Sequence, residues 1–545
     1  MIIFRFNLII KFLKIANFKL IFGIFIFGLC AFNCNGSKIL GLFAFPGKSH
    51  FIVFRAIMTE LARRGHEVTV VSNFRIDEKI PKYNELLIEP TFNYWDDVKS
   101  FFGQHDIFDV KDFSTPQIYD MMNRIGYSTT EHALKSANLQ KIIHDDNKEQ
   151  YDLIVVEQFF QEALLIFGHL CKAPVVAIST ASFENHMSTM MGLIVPWAHS
   201  PQDYLPYSDR MTFFQRFWNS ACSLYSEYNR KFKYFPQQDE LVRKYISEVE
   251  GNLPSVAELE KNVSVLLVNN FIPLDIPRPS VMGVVSVGGV HITPPKTLPR
   301  DIRAFLDDAR QGAIYFSLGT NLKSSEIPEE KLRALVNVFG KLKERVLWKW
   351  DDGAKIPELP ENVMAIKRWL PQSDVLAHPH VKFFITHGGL LSLQEAVHRR
   401  VPVLGIPIFG DQYVNVRKVV DLGIGVMLDY SNLTETSLTW ALQQLIYDES
   451  YMINMRTISQ IFRDRPLGAL ETSIFWVEYV IRHKGAKFIK TAAIDLPWYS
   501  LYLLDVALFA LICIILLIGL LYAAIKILLY IRRKRKISKI YSKLN

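Results

Sequence analysis

Cysteine is scarce in this chain, with five cysteines among 545 residues. Two of them precede residue 36 and Cys513 lies in a long apolar run, which leaves only Cys171 and Cys222 in the body of the chain. One bridge between these two remains open, but so few cysteines exclude a disulfide framework. The chain also lacks His-Glu-x-x-His and paired Cys-x-x-Cys motifs. We therefore expect no structural or catalytic metal and no cofactor.

Two common nucleotide-binding motifs are also missing. Gly41 and the Gly47-Lys48-Ser49 segment enclose five residues, where a phosphate-binding NTPase loop requires four. Gly423-Ile424-Gly425 lacks the third glycine of a dinucleotide-binding fingerprint. The sequence therefore predicts neither an NTPase of this class nor a dinucleotide-dependent dehydrogenase.

Acidic residues are absent from the first 19 residues, which contain four basic ones. Leu20 to Phe32 then carries no charge and is followed by small and polar residues. A basic start, a short apolar run and small residues predict a secretory signal peptide over residues 1–36, cleaved between Cys34 and Ser37. The alternative is an uncleaved anchor.

Charge is missing again from Val506 to Ile525, between Asp505 and Lys526. About 20 apolar residues in a helix match the hydrocarbon thickness of a bilayer. A buried core helix is the alternative, but a cluster of five basic residues at 532–536 marks a cytosolic side. We predict a single-pass type I membrane protein with a transmembrane segment at 498–525, a cytosolic basic tail at 526–545, and membrane lipid as a partner.

The net charge of +8 comes from the two ends of the chain. The tail from Lys526 carries +8 and the first 36 residues carry +4, which leaves −4 on the body. A mildly acidic body does not attract phosphate backbones, so nucleic acid is not an expected partner.

The body alternates short apolar runs with helical patterns, which predicts α/β architecture with buried parallel sheets. Three prolines at 294–299 predict a linker at 291–300. This divides the body into a first domain at 37–290, a second at 301–470, and a return helix and connector at 471–497. The predicted strands are Ile39–Phe45, Val68–Val71, Leu153–Val156, Val175–Ile178, Val265–Val268, Ala313–Leu318, Val346–Trp350, Val381–Thr386, Val401–Ile406 and Gly425–Leu428.

The most specific local pattern runs from Phe384 to Gln412. A buried strand ends at Thr386, and the chain then turns through Gly388-Gly389 into a helix. Glycines allow close backbone approach, and a helix start presents free N–H groups to an anion. This pattern indicates a phosphate-binding turn, which His387 can supplement with an imidazole donor.

The pattern resembles the signature of the UDP-glycosyltransferase family, which includes the UDP-glucuronosyltransferases. The resemblance covers the whole chain, with further matching stretches at 64–70, 288–289, 316–320 and 369–372. It implies two facing Rossmann-like doubly wound domains of the GT-B type. It also implies an endoplasmic reticulum enzyme with a lumenal body that transfers a sugar from a UDP-sugar donor to a small lipophilic acceptor. Whether such an enzyme forms a homo-oligomer stays open.

The resemblance assigns the donor site residue by residue. Trp369 would stack on uracil, whose stacking contributes about 1–3 kcal/mol, and Gln372 would contact the nucleoside. The expected diphosphate contacts are Ser317, Gly319, Thr320, His387, Gly389 and Ser392. The expected sugar contacts are Glu395 for the ribose and Asp411 and Gln412 for the transferred hexose.

The resemblance also implies that His50, after the first strand, is the base that accepts the acceptor's proton. An unperturbed imidazole is suited to this task near neutral pH. The family pairs this histidine with an aspartate, whereas Glu157 occupies the corresponding strand end here. We expect Glu157 to orient His50, and the alternative is a solvated carboxylate.

Two further departures bear on the donor. Leu391 replaces an asparagine or histidine of many relatives, so one phosphate contact is expected to be missing. Asn269 stands where users of glucuronic acid tend to carry arginine, which favours UDP-glucose over UDP-glucuronate. A catalytically silent protein that binds UDP-sugars or lipophiles is the alternative function. Phe159-Phe160, Met190-Met191 and Phe213-Phe214 are candidates for an acceptor pocket or for ordinary core.

Overall fold

The structure, a computed structural model, describes residues 36–102, 110, 113–247, 251–320, 322–351 and 355–544. The chain divides into two compact units, one ending at Lys490 and the other running from Thr491 to Asn545. The predicted signal peptide lies almost entirely outside the described residues, so it stays a prediction.

The first unit contains two fully parallel sheets. The strands of the first sheet are β1 (Lys38–Phe43), β2 (Glu67–Ser72), β3 (Tyr83–Leu87), β4 (Leu153–Glu157), β5 (Val175–Ser179), β6 (Val263–Val268) and β7 (Val284–Ser286). Those of the second are β8 (Ala313–Ser317), β9 (Arg345–Lys349), β10 (Val363–Ile366), β11 (Val381–Thr386), β12 (Val403–Gly405) and β13 (Gly425–Met427).

Both sheets are doubly wound. Within the described residues their strand orders are β3-β2-β1-β4-β5-β6-β7 and β10-β9-β8-β11-β12-β13. The order therefore reverses between β1 and β4 in the first sheet and between β8 and β11 in the second. In open α/β sheets, ligands bind at the carboxyl ends of the strands beside such a switch point.

The connecting helices cover the faces of the sheets. In the first domain they are α1 (Lys48–Arg63), α2 (Tyr94–Phe102), α3 (Thr115–Lys135), α4 (Ala137–Ile143), α5 (Ile166–Leu170), α6 (Asn185–Met190), α7 (Phe213–Asn229), α8 (Phe235–Ile246) and α9 (Val256–Glu260). In the second domain they are α10 (Arg300–Asp307), α11 (Glu329–Gly340), α12 (Gln372–Leu376), α13 (Leu390–Arg399), α14 (Gln412–Asp421), α15 (Glu435–Tyr447) and α16 (Ser450–Arg463). Helix α17 (Ala469–Arg482) follows, and α18 (Trp498–Leu501) and α19 (Leu504–Leu544) belong to the C-terminal unit.

All ten predicted strands are confirmed, and three strands were missed. The missed strands, β3, β7 and β10, lie at the edges of the two sheets. Every residue of β4, β5, β6 and β8 is buried, whereas the edge strands alternate between buried, half-buried and exposed positions. Edge strands lack the continuous apolar run that reveals a strand buried on both faces.

Helix α17 belongs to the first domain although it follows the second in the chain. Ile474, Val477 and Val480 pack into the core formed by β1, α1 and β6. Arg64 of the first domain donates a 2.5 Å hydrogen bond to Glu471 of this helix. The chain thus crosses back from the second domain to the first before it reaches the C-terminal unit.

The C-terminal unit contains the predicted apolar helix. Leu504–Ile540 has a mean hydropathy of 3.0 over its most apolar window and is long enough to cross a membrane. None of that window is buried against protein.

Candidate functional site

The first switch point brings His50 and Glu157 into contact. His50 lies in the first turn of α1, directly after β1, and Glu157 is the last residue of β4. The His50 Nδ1 and Glu157 Oε1 atoms are 2.5 Å apart, with the carboxylate side chain fully buried and the imidazole 16% exposed. The longer glutamate side chain therefore reaches the imidazole.

The surroundings of this pair hold the imidazole in one orientation. Thr180 Oγ1 lies 2.9 Å from His50 Nδ1, after the neighbouring strand β5. The rings of Phe45 and Phe159 pack against the imidazole with centroid distances of 4.5 and 4.7 Å. With Nδ1–H directed at the carboxylate, the other ring nitrogen, Nε2, is left as the atom that can accept a proton.

Burial raises the pKa of the Glu157 carboxyl, while the adjacent His50 and the Phe45 backbone amide act in the opposite direction. A carboxylate in this position is stabilised when its imidazole partner becomes positively charged. The pair is therefore arranged to share one additional proton.

The second switch point forms a turn around His387. Gly319, after β8, has φ = +82°, and Gly388, after β11, has φ = +87°, so both adopt the left-handed region that favours glycine. A Cβ added at Gly319 would lie 2.5 Å from the His387 ring, and one at Gly389 would lie 2.6 Å from it. Both glycines are thus required for the imidazole to occupy this place.

Helix α13 starts immediately after this turn, with Gly389 as its N-cap. Ser317 at the end of β8 is buried and accepts a hydrogen bond from the Gly319 N–H at 3.2 Å. Thr320 follows it at a half-buried position. A helix start with free N–H groups and neighbouring hydroxyls is an anion-binding arrangement.

Burial, and after it the positive charge of Lys349, lowers the pKa of His387 to about 4. The imidazole is therefore neutral near pH 7 and can donate one hydrogen bond to an anion. Lys349 Nζ donates to the Gly319 carbonyl at 2.8 Å, which places a positive group beside the neutral imidazole at the same turn.

Three of the residues assigned to the nucleoside and diphosphate lie together. Gln372 Nε2 donates to Ser392 Oγ at 2.9 Å and to Glu395 Oε2 at 2.6 Å. Burial raises the pKa of Glu395 to about 7, and the Gln372 hydrogen bond acts against this rise. The buried linker residue His291 lies 3.7 Å from the other carboxylate oxygen, a neighbour that the sequence did not indicate.

Trp369 lies at the rim of this group and is 45% exposed. The Lys48 ammonium nitrogen lies 3.9 Å from the centroid of its ring. Lys48 belongs to the first domain and Trp369 to the second, so this contact spans the space between the two switch points. In the sequence, the Gly47-Lys48-Ser49 segment resembles only a phosphate-binding loop, whose spacing it does not match. The sequence did not indicate the contact between Lys48 and Trp369.

Asp411 and Gln412 stand at the start of α14. Asn415 Nδ2 donates to Asp411 Oδ2 at 2.7 Å, and burial raises the pKa of Asp411, which His50 acts to lower. Gln412 Oε1 accepts from the backbone N–H groups of Ile408 and Phe409 at 2.9 and 3.2 Å. Asp411 thus lies close enough to His50 for their charges to interact, and Gln412 holds the loop before it.

A cavity of about 70 Å³ adjoins Asp411 and is lined by residues of both domains. Glu184 and Asp203 of its lining form a cluster with His186 that the sequence did not indicate, in which each residue has a potential ligand atom within 4.8 Å of the others. Burial raises the pKa of Glu184 to about 8 and that of Asp203 to about 7. Six acidic side chains line this cavity, against three basic ones: Glu184, Asp203, Asp209, Asp275, Asp411 and Asp421, with Arg278, Arg417 and Lys418.

The two departures noted in the sequence have structural explanations. Leu391 packs against the core of the first domain, so its side chain contributes to the domain interface. Asn269 is completely buried, donates to the Thr180 carbonyl at 3.0 Å, and presents its own carbonyl to Gln394 of α13 at 2.7 Å. Asn269 thus occupies a junction between the domains, with an uncharged amide at this position.

The candidate acceptor-pocket residues separate into three groups. Phe159 packs on His50, and Phe160 is buried next to it. Met190 and Met191 are part of the first domain's core. Phe213 and Phe214 are 66% and 79% exposed on the outer surface of α7, so neither the pocket nor the core interpretation holds for them.

Comparisons with known proteins agree with this geometry. The family model described as UDP-glucoronosyl and UDP-glucosyl transferase matches residues 41–540. The chain is 35% identical over 501 residues to UDP-glycosyltransferase UGT5 of Dactylopius coccus, covering 91% of this chain and 92% of that protein. It is 30% identical to UDP-glucuronosyltransferase 2B7 of Homo sapiens, covering 86% of this chain and 88% of that protein.

Solved structures show the same fold. The calicheamicin glycosyltransferase CalG4 matches with a TM-score of 0.55 at 19% identity, over 82% of this chain and 99% of that one. Glycosyltransferase VinC in complex with dTDP also has a TM-score of 0.55, at 16% identity over 82% of this chain and 100% of that one. Two Rossmann-like domains of the GT-B type and the family match lead to one conclusion: the chain belongs to the UDP-glycosyltransferase family and is an enzyme that transfers a sugar from a UDP-sugar donor.

Proposed function

We propose that the protein transfers glucose from UDP-glucose to a hydroxyl group of a small lipophilic acceptor, with inversion at the anomeric carbon. The contact between His50 and Glu157, at the edge that faces the His387 turn, is the observation that carries this proposal. This contact supports the role of His50 as a base at the first switch point, and the glycine turn before α13 supports anion binding at the second.

In this mechanism, His50 Nε2 takes the proton of the acceptor hydroxyl while Glu157 stabilises the resulting imidazolium. The acceptor oxygen attacks C1 of the sugar from the face opposite UDP. The bond from C1 to the phosphate oxygen breaks, and UDP leaves with the bonding electrons. The start of α13 and the His387 N–H stabilise the negative charge that develops on the diphosphate.

The donor contacts divide between nucleoside and sugar. Trp369 supplies a partly exposed aromatic face for uracil, and Gln372, Ser392 and Glu395 form one hydrogen-bonded group beside it. Asp411 and Gln412 start α14 opposite His50, where hydroxyls of the transferred hexose would lie.

Glucose is favoured over glucuronic acid for an electrostatic reason. The cavity beside Asp411 has more carboxyl groups than cationic groups, and position 269 carries asparagine instead of arginine. A uronate carboxylate would meet repulsion there without a bidentate partner. Side-by-side turnover with UDP-glucose and UDP-glucuronate tests this preference, and equal or faster turnover with UDP-glucuronate would overturn it.

The acceptor is proposed to be a small alcohol or phenol. Phe45 and Phe159 flank the imidazole and offer apolar surface next to the base. UDP release by the full-length protein in microsomes, measured with a panel of phenols and with His50→Ala as the comparison, tests both acceptor class and base. A rate that His50→Ala leaves unchanged would remove His50 from the mechanism.

We propose residence in the endoplasmic reticulum membrane with a lumenal body. Support comes from the apolar helix Leu504–Ile540 and the basic tail that follows its apolar part. Two Asn-x-Ser/Thr glycosylation motifs occur in the body, Asn262-Val263-Ser264 and Asn432-Leu433-Thr434, and both asparagines are exposed. Mass shifts after glycosidase treatment of membrane-bound protein would report the lumenal side.

A further inference from the structure

Helix α7 presents an unusual surface for a soluble domain. Seven large apolar side chains on α7 and the π turn after it (Arg230–Tyr234) are between 52% and 79% exposed. We call this surface the α7 face, and its members are Phe213, Phe214, Phe217, Trp218, Leu224, Tyr228 and Phe232.

The helix is amphipathic, but its apolar side faces outward and its polar side faces the protein. Phe213, Phe217, Leu224 and Tyr228 follow one another at helical spacing and point outward. The residues of α7 that are buried are instead small or polar: Asn219, Cys222, Ser223 and Asn229. A helix that covers an ordinary core would bury the first set and expose the second.

Specific hydrogen bonds hold this orientation. The Asn219 side chain accepts from the Gln202 N–H and donates to the carbonyls of Trp197 and Ser200, at 2.6, 2.8 and 3.0 Å. Asn229 Oδ1 accepts from Asn123 Nδ2 at 2.9 Å. Rotation of the helix to hide its aromatic side chains would break these buried bonds, so the apolar exposure is part of the fold.

The α7 face is too large to be incidental. At roughly 200 Å² per large side chain it exposes on the order of 800 Å² of apolar surface, whereas the largest patch on a soluble monomer is about 300–600 Å². Patches of this size mark contacts with another protein or with a membrane.

The charges around the face favour a membrane. Between residues 210 and 233 there are five basic residues and one acid, the half-buried Glu227, whose carboxylate accepts from Thr189 Oγ1. One of the five, Arg230, is largely buried and paired with Glu162 and Glu260, so it adds no charge to the surface. Arg210, Arg216 and Lys231 are exposed beside the aromatic side chains. Aromatic and leucine side chains flanked by basic residues are typical of helices that lie in the interface of a bilayer.

We propose that the α7 face docks on a lipid bilayer and forms a second membrane contact in addition to the C-terminal helix. Because the same chain carries an apolar helix long enough to span a membrane, tethering keeps a bilayer at high effective concentration near the first unit. The contact depends on that helix lying in the bilayer and does not depend on the choice of sugar donor.

The experiment separates the two membrane contacts within one molecule. The full chain carries an inserted protease site between Lys490 and Trp498 and is reconstituted into vesicles of four parts phosphatidylcholine to one part phosphatidylserine. It is then cut after folding, and the body is assayed for sedimentation with the vesicles. We expect the cut wild-type body to remain on the vesicles.

The test variant is Phe213→Ser with Phe214→Ser, Phe217→Ser and Trp218→Ser, and the matched control is Trp440→Ser with Tyr447→Ser and Ile453→Ser. The control side chains are equally exposed but lie on α15 and α16. We expect the test variant to lower the bound-to-free ratio at least about tenfold, since burial of several large apolar groups is lost, and the control to change it less than twofold. Phe214→Glu, a single change at the most exposed of the four positions, is the second variant. It should also release the body from the vesicles, and it provides the test if the fourfold variant does not fold.

Three results would overturn the proposal. These are release of the cut wild-type body from the vesicles, equal retention of test and control variants, or a lipid-free dimer of the cut body that Phe214→Glu dissociates. The last result would assign the α7 face to a second copy of the chain.

Discussion

The ammonium group of Lys48 lies 3.9 Å above the ring of Trp369, in a contact between the two Rossmann-like domains. The ring belongs to the residue proposed to stack on uracil, and Lys48 is two residues before the proposed base. The contact therefore covers part of the aromatic face that the nucleoside would use.

Lys48→Met is expected to tighten UDP binding. A cation–π contact at an exposed site contributes about 0.5–1 kcal/mol, and uracil must displace it before stacking. Its removal should lower the Kd of UDP about two- to fivefold, measured by calorimetry.

Lys79→Met is the control for this change, because Lys79 is an exposed lysine of the first domain. It should leave the Kd unchanged. Weaker UDP binding by Lys48→Met alone would show that the ammonium group contacts the diphosphate.

Substitutions at the His50–Glu157 pair should separate chemistry from donor binding. His50→Ala removes the base and should lower kcat by a factor of about 10²–10⁴, while the Kd of UDP changes less than twofold. Glu157→Gln keeps the shape of the side chain but cannot stabilise an imidazolium, so kcat should fall with KM nearly unchanged.

Glu157→Asp provides a geometric control. The side chain shortens by one methylene, so the carboxylate should lose its 2.5 Å contact with Nδ1, and kcat should lie between those of wild type and Glu157→Gln. Full activity of Glu157→Gln would contradict an orienting role for this carboxylate.

Gly389→Ala should disrupt the anion-binding turn. Gly389 has an ordinary φ of −60°, so the damage comes from a Cβ that would lie 2.6 Å from the His387 ring. The imidazole must move, and we expect UDP binding to weaken by about tenfold, the loss of one good hydrogen bond to a charged group.

Gly468→Ala is the matched control, because Gly468 also caps a helix, has φ = −57°, and has nothing within 4 Å of an added Cβ. Stability and UDP affinity should stay at wild-type values. Equal effects of both alanine changes would argue against a specific role for the His387 ring.

The buried carboxyl group of Glu184 predicts a pH-dependent stability. Its pKa is raised to about 8 in the folded protein, by burial first and by Asp411 second, against about 4.3 in an unfolded chain. The unfolded state therefore loses its proton more readily, and native stability falls as the pH rises from about 4 to 8.

Glu184→Gln removes this titration. The thermal midpoint of the variant should rise by a few degrees at pH 8 and by less at pH 5, as measured by scanning calorimetry. A lower midpoint at pH 8 would mean that the ionised carboxylate has a bound cation, which His186 and Asp203 are close enough to help bind.

The local pattern of the sequence was sufficient for the buried strands and for the turns after them. Strands such as β4 and β8 are buried at every position and have no charged residue before their last position, because both faces are covered; this requirement is visible in the residue order. The glycines around His387 are equally readable, since a helix start that approaches an anion requires them. The edge strands β3, β7 and β10 carry no such requirement and were missed.

Contacts between residues far apart in the sequence could not be predicted from the sequence, because they depend on the tertiary structure. Glu157 lies 107 residues from His50, and only the pairing of β1 with β4 brings them within hydrogen-bond distance. The Lys48–Trp369 contact and the Glu184–His186–Asp203 cluster depend in the same way on how separate loops meet.

Helix α7 shows this division within one element. Its amphipathic residue order belongs to the sequence, but the sequence cannot tell which side faces the protein. The hydrogen bonds of Asn219 and Asn229 to other segments turn the polar side inward, because buried polar groups require partners that only the folded chain supplies.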